Sequence, residues 1–175
     1  IQGDLFANFT GNEAGEAKKS NLETLETLNC DYQLIDTEKK RAEIIQKLLT
    51  SKILSLDTET TGTEPMDAEL VGMSFSITEN QAFYVPVPDN REEALKIVNE
   101  FRPVFENENS LKVGQNIKYD MIVLENYGVQ VKGALFDTMI AHYVLQPELR
   151  HGMDYLAEIY LHYQTIHIEE LIGPK

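Results

Sequence analysis

The sequence predicts a mixed α/β domain. Three observations point there: an amphipathic helical stripe around residue 45, three closely spaced strand candidates between residues 53 and 87, and strands alternating with helices from residue 111 onward. Neighbouring strands followed by strand–helix alternation describe a mixed sheet with helices on its faces.

Residues 1–29 are acidic and polar with few paired apolar positions, and read as a linker or loosely attached arm ahead of a domain spanning 30–175. Tyr32 to Ile35 is a short strand suited to the domain edge. Thr37 starts a helix whose apolar stripe is Ala42, Ile44, Ile45, Leu48 and Leu49. Strands follow at Ile53–Thr58, Leu70–Ile77 and Ala82–Val87. In the second, Val71, Met73, Phe75 and Ile77 alternate with Gly72, Ser74 and Ser76; in the third, Phe83, Val85 and Val87 alternate until the prolines end the run. Asn90 with Glu93 makes a capping box for a helix through Phe101, which Pro103 kinks or restarts. A strand at Leu111, a helix after Asn116, a short strand at Val129–Val131, and helices at Phe136–Leu145 and Met153–Tyr163 complete the pattern.

The 175 residues suit one domain with a short extra segment, and 42% hydrophobic with 25% charged residues is ordinary for a soluble globular chain. No apolar run approaches the length of a membrane span, and no secretory signal is visible. The single cysteine, Cys30, excludes an internal disulfide and fits a reducing cytoplasm. A monomer without membrane contact is expected. Fifteen Lys and Arg against 29 Asp and Glu give a net charge of −14, which argues against a duplex-binding surface with a basic face.

The chemistry is carried by two motifs. In Ile53-Leu54-Ser55-Leu56-Asp57-Thr58-Glu59-Thr60-Thr61-Gly62 an apolar strand delivers Asp57 and Glu59 to one face, because side chains two apart on a strand project together. Two such carboxylates repel unless a cation sits between them, and hard oxygen ligands favour Mg²⁺ or Mn²⁺ over zinc. A solvated strand end with two surface acids is the plainer alternative. Gly114-Gln115-Asn116-Ile117-Lys118-Tyr119-Asp120 opens a helix, placing Asn116 and Asp120 on one face. Asn116 as an N-cap and Asp120 as a first-turn acid are the ordinary structural readings. Asp137 reads as a helix cap or support. His142, His162 and His167 lack metal-ligand spacing, and His151 suits either a loop-ordering bond or a phosphate contact.

Together, Leu-Asp-Thr-Glu-Thr-Thr-Gly and, about sixty residues on, Gly-Gln-Asn-x-Lys-Tyr-Asp resemble the proofreading 3′–5′ exonuclease domain of bacterial family A DNA polymerases. The resemblance extends to Ala134–Met139 and Arg150–Ala157, so it covers roughly residues 30 to 175. It implies a ribonuclease H-like exonuclease fold with a five-stranded sheet and one antiparallel strand. It implies two Mg²⁺ or Mn²⁺ ions: Asp57 bridging both, Glu59 on the metal that activates water, and Asp120 on the second. Thr58, Thr60, Gln115, Asn116 and Tyr119 would border the 3′ end. The implied partners are a single-stranded 3′ end of DNA and a polymerase domain of the same polypeptide, which would supply much of the DNA grip.

The family's fourth carboxylate belongs to a downstream Tyr-x-x-x-Asp motif, and no tyrosine after Asp120 has Asp four residues on. Tyr32 and Asp36 have the spacing but precede the first motif. An exonuclease domain incomplete at its C-terminal side is therefore expected, along with an isoleucine, Ile168, where the family can hold an aromatic near substrate. A ribonuclease D-like RNA exonuclease and a non-catalytic polymerase module are the competing readings; retention of Asp57, Glu59 and Asp120 weighs against the latter.

The acidic balance predicts weak, salt-sensitive association with DNA, confined to single-stranded 3′ ends. Fluorescence anisotropy with labelled single strands and blunt duplexes tests this, and tight duplex binding at physiological salt would contradict it.

Overall fold

The computed structural model describes residues 22–167 together with 170 and 173. Most of the expected 1–29 arm and the position of Ile168 lie outside the described residues. In chain order the elements are β1 (Asp31–Leu34), α1 (Glu38–Thr50), β2 (Ile53–Thr60), β3 (Leu70–Thr78), β4 (Gln81–Pro86), α2 (Arg91–Glu100), α3 (Arg102–Phe105), β5 (Leu111–Gly114), α4 (Ile117–Glu125), β6 (Leu135–Asp137), α5 (Thr138–Leu145) and α6 (Met153–Leu161).

The strands form one sheet in the order β1-β4-β3-β2-β5-β6. Its members β4, β3, β2, β5 and β6 make the expected five-stranded sheet, in which β3 alone runs antiparallel to both neighbours. β1 joins parallel to β4 as a sixth strand, at the edge where Tyr32 to Ile35 was expected.

One sheet face is the core. Leu54 and Leu56 of β2, Met73 and Phe75 of β3, and Phe83 and Val85 of β4 are buried under α1 to α4. α1 presents Ile44, Ile45 and Leu48 to them, after Thr37 caps its first turn by accepting from the Lys40 amide at 3.3 Å. Asn90 caps α2 through the amides of Glu92 and Glu93. Phe101 then breaks the helix where Pro103 predicts a restart, and its ring stacks on Phe75 with centroids 5.3 Å apart. Burying rings of this size supplies much of the driving force, at about 25 cal/mol per Å² of apolar area removed from water.

Two local expectations are corrected. Val129–Val131 is not a strand: Gly128 adopts φ 75 at the end of α4, and Val129 drops into the core, fully buried. The amide of Val129 returns to the carbonyl of Leu124 at 3.1 Å, a helix-ending turn that uses up the donor a strand would need. The strand instead forms at Leu135–Asp137, beside β5, so Phe136 and Asp137 belong to β6 and α5 begins at Thr138. In β3, Val71 is 39% exposed despite the alternation, because the β2–β3 register shifts between Glu59 and Thr60 and skips it.

Asp137 does the work expected of a cap, at two helices. Its carboxylate accepts from the amides of Asn116 (3.2 Å) and Ile117 (3.0 Å) at the start of α4, and of Ile140 (3.1 Å) in α5. The geometry predicts that Asp137→Ala destabilises the protein by about 2 kcal/mol, the upper end for a cap because two helix ends lose acceptors. In a chain of this size that is a fall of roughly 4–8 °C in Tm by differential scanning calorimetry.

Candidate active site

The site lies where β2 runs out of the sheet. Residues alternate along β2, so Leu54, Leu56 and Thr58 are buried while Asp57 and Glu59 stand on the open face. β5 pairs parallel with β2, matching Ile53 with Leu111 and Ser55 with Val113, which brings the start of α4 to the same end of the sheet. Carboxyl ends of parallel strands are where open α/β sheets bind ligands.

α4 supplies Asp120, which is 2% exposed. Its Oδ1 accepts from the amide of Thr58 at 2.9 Å and from the Thr58 hydroxyl at 2.6 Å. Tyr119, one residue earlier, meets the Thr60 hydroxyl at 2.6 Å and donates to the carbonyl of Gly62. Further along the chain, Asn126 donates to the Pro65 carbonyl, and the Tyr127 hydroxyl takes the amide of Leu70. The 61–69 loop after the carboxylate strand is therefore latched to α4 and the turn that follows it.

Asn116 takes a left-handed conformation (φ 60, ψ 43), which asparagine tolerates better than most residues. Its side chain caps nothing, since Asp137 has that role, so the plain N-cap reading is set aside. Gln115 is engaged by its neighbours: it donates to the carbonyl of His151 at 2.7 Å and accepts from Thr138. His151 in turn meets His142 through their Nδ1 atoms at 2.7 Å, the loop-ordering role among its two readings.

Negative charge is concentrated here. Surrounding protein atoms, then the charge on Asp120, then that on Glu59, push the Asp57 carboxyl from 3.8 up to about 7, although its side chain opens to solvent. Burial raises Asp120 as well, against the lowering effect of its Thr58 bonds. This donor set fits a hard divalent cation: three carboxyl groups, two of them held towards protonation by crowding that positive charge would relieve. Yet among the described residues no three acidic, His or Cys side chains already surround one point as a closed ligand set.

One neighbour of the carboxylates belongs to neither motif. Tyr84 of β4 lies across Gly72, where any Cβ would collide with its ring, and Gly72 pairs with Glu59. Burial and the charge on Glu59 raise the Tyr84 hydroxyl. Its position between buried Phe83 and Val85 was the available signal, since strand alternation sends it to the carboxylate face. Beside Asp57 the same sheet face, with Phe136 of β6, lines a cavity of about 740 Å³ whose other walls include Leu145 of α5 and Met153, Leu156 and Tyr160 of α6.

A family profile described as 3′–5′ exonuclease, of the A-type DNA polymerases, matches residues 32–174. DNA polymerase I of Borreliella burgdorferi is 34% identical over 154 residues, covering 86% of this chain and 17% of that protein. DNA polymerase I of Pseudomonas aeruginosa is 34% identical over 182 residues, covering 96% of this chain and 20% of that one. The chain thus spans about a fifth of the length of these relatives. Among solved structures, the catalytic core of RRP6 from Trypanosoma brucei superposes with TM-score 0.66 at 20% identity, over 86% of this chain and 40% of that one. Brucella melitensis NrnC with bound Mg²⁺ gives 0.62 at 17% identity, over 81% of this chain and 65% of that one. These last two likenesses concern the fold. The chain belongs to the 3′–5′ exonuclease family of the A-type DNA polymerases.

The raised Asp57 carboxyl makes stability depend on pH. The unfolded chain releases this proton near 3.8 and the folded chain near 7, so the folded form binds it more tightly and stability falls as pH rises through the folded value. In EDTA, wild type should lose Tm relative to Asp57→Asn between about pH 4 and 7, ending a few degrees below it, and the two should converge at lower pH. A difference that stays flat across this range in thermal melts would contradict the shift.

Proposed function

We propose that this member of the exonuclease family acts as the proofreading module of a DNA polymerase I-type polypeptide, removing nucleotides from the 3′ end of DNA by hydrolysis. The observation that carries the proposal is the meeting of Asp57 and Glu59, on the open face of β2, with Asp120 from α4 at the same strand end. Asp57, Glu59 and Asp120 would hold Mg²⁺ or Mn²⁺, which when bound supplies an activated water and neutralises charge at the scissile phosphate.

The protein's own contribution is placement. Asp57, whose carboxyl is raised by burial and by the charges on Asp120 and Glu59, would contact both ions. Glu59, two residues along the same face, would serve the ion that activates water. Asp120, anchored through one oxygen, would serve the second ion. Tyr119, Thr60 and the carbonyl of Gly62 form a hydrogen-bonded rim beside the carboxylates, suited to border the terminal nucleotide. Asn116, whose side chain is free of capping duty, and Gln115, held by His151 and Thr138, would complete that border. With a net charge of −14, the remaining grip on DNA would come from the polymerase portion of the same polypeptide.

The identity of 34% to DNA polymerase I supports DNA over RNA as substrate, against 19% to Escherichia coli RNase D, a likeness of fold. Calorimetric titration of this chain with Mn²⁺ should show weak binding that Asp57→Ala removes; unchanged binding would place the cation elsewhere. In the full-length polypeptide carrying this domain, Asp57→Ala, Glu59→Ala or Asp120→Ala should each lower mononucleotide release from single-stranded DNA by several orders of magnitude, as ligands acting in one unit do. Polymerisation should persist in each. Full exonuclease activity of Asp57→Ala/Asp120→Ala would sink the reading, and faster release from RNA than from DNA would favour an RNA-processing role.

A further inference from the structure

Thr58 sits between the two motif carboxylates in sequence but faces away from them. It continues the buried row of Leu54 and Leu56 and is 8% exposed, a position where strand packing alone would favour an aliphatic residue. Its polarity is explained by one contact. Both its hydroxyl and its amide donate to Oδ1 of Asp120, at 2.6 and 2.9 Å.

That both bonds land on the same oxygen has a chemical consequence. Among the described residues both hydrogen bonds that Asp120 accepts from another residue land on Oδ1, so that oxygen is pinned and Oδ2 takes no bond from a neighbouring side chain or strand. Two short bonds to one oxygen fix the side-chain rotamer and the plane of the carboxylate, which is what an outer partner does for a metal ligand.

We propose that Thr58 is a positioning residue, whose hydroxyl works from the core side of β2 to hold Asp120 so that its free oxygen is presented to a divalent cation shared with Asp57. The role rests on the metal-binding reading above and goes beyond it. It assigns to the side chain of Thr58 a task on Asp120, separate from any contact of its backbone with a nucleotide. Asp120 is already committed on one side, and only the remaining oxygen is available.

Mn²⁺ affinity, read by calorimetry on the folded chain near neutral pH, tests this. Thr58→Val keeps the shape and strand preference of the residue and removes the donor, and should weaken Mn²⁺ binding roughly tenfold or more. Thr58→Ser keeps the hydroxyl and should restore most of the affinity. A purely structural contact would lower Tm in Thr58→Val while leaving the affinity of the folded protein unchanged, and that result overturns the proposal. Loss of binding in Asp57→Ala, with Thr58→Val indistinguishable from wild type, overturns it while leaving the metal site intact. A wild-type chain that binds no Mn²⁺ overturns the metal reading itself, and this role with it. Should Thr58→Val fail to fold, Thr58→Cys, whose thiol is a weak donor of similar size, carries the same comparison.

Discussion

Asp120 reaches from α4 to the amide and hydroxyl of Thr58, and the arrangement of the site depends on that buried contact. A carboxylate in this position is costly, since burial favours its neutral form and Asp137 adds like charge. Two hydrogen bonds to Oδ1 offset part of the cost. They also set how α4 lies against the end of β2, and hence where Tyr119 and Tyr127 meet the loop that follows Glu59.

The same constraint shapes the other side of the site. α4 can present Asp120 only if its start is held beside β5, and Asp137 holds it there from the end of β6. β6 pairs with β5 through Gly114 and Asp137, so the second motif and the double cap meet across one strand pair. Gln115, His151 and His142 extend this framework to α5 and to the loop before α6. Stability and placement of the carboxylates are thus served by one set of hydrogen bonds, and substitutions in it should disturb both.

Beyond the carboxylates, this face of the sheet is open and apolar. Val144 and Leu145 at the end of α5 and Leu161 at the end of α6 are 74, 75 and 68% exposed, next to the cavity that Asp57 lines. The polar chemistry therefore sits at the mouth of a greasy groove rather than in open water. Burial in that setting, ahead of the charges on Asp120 and Glu59, raises the Asp57 carboxyl.

Much of this could be read from residues in order. Period-two alternation located β3 and β4, and the apolar run before Asp57 located β2; the apolar stripe after Thr37 located α1; and Asp57, Glu59 and Asp120 stood out through the joint wording of two motifs, each of which has an ordinary structural reading when taken alone. The misplaced strand at Val129–Val131 shows where local reading stops: an apolar run does not say whether its amides pair with a strand or turn back on a helix. Lys112 makes the same point, lying fully buried in β5 with its ammonium on the carbonyls of Asn107 and Lys132, and held below the usual lysine range by burial. The sequence by itself determined the strand–helix order, the face on which Asp57 and Glu59 stand, and the family, since these follow from side-chain periodicity and motif wording. Tertiary structure alone decided that Asp120 is pinned by Thr58, that Asp137 caps two helices, and that Asp57 is held towards protonation, because each depends on distances between residues far apart in the chain.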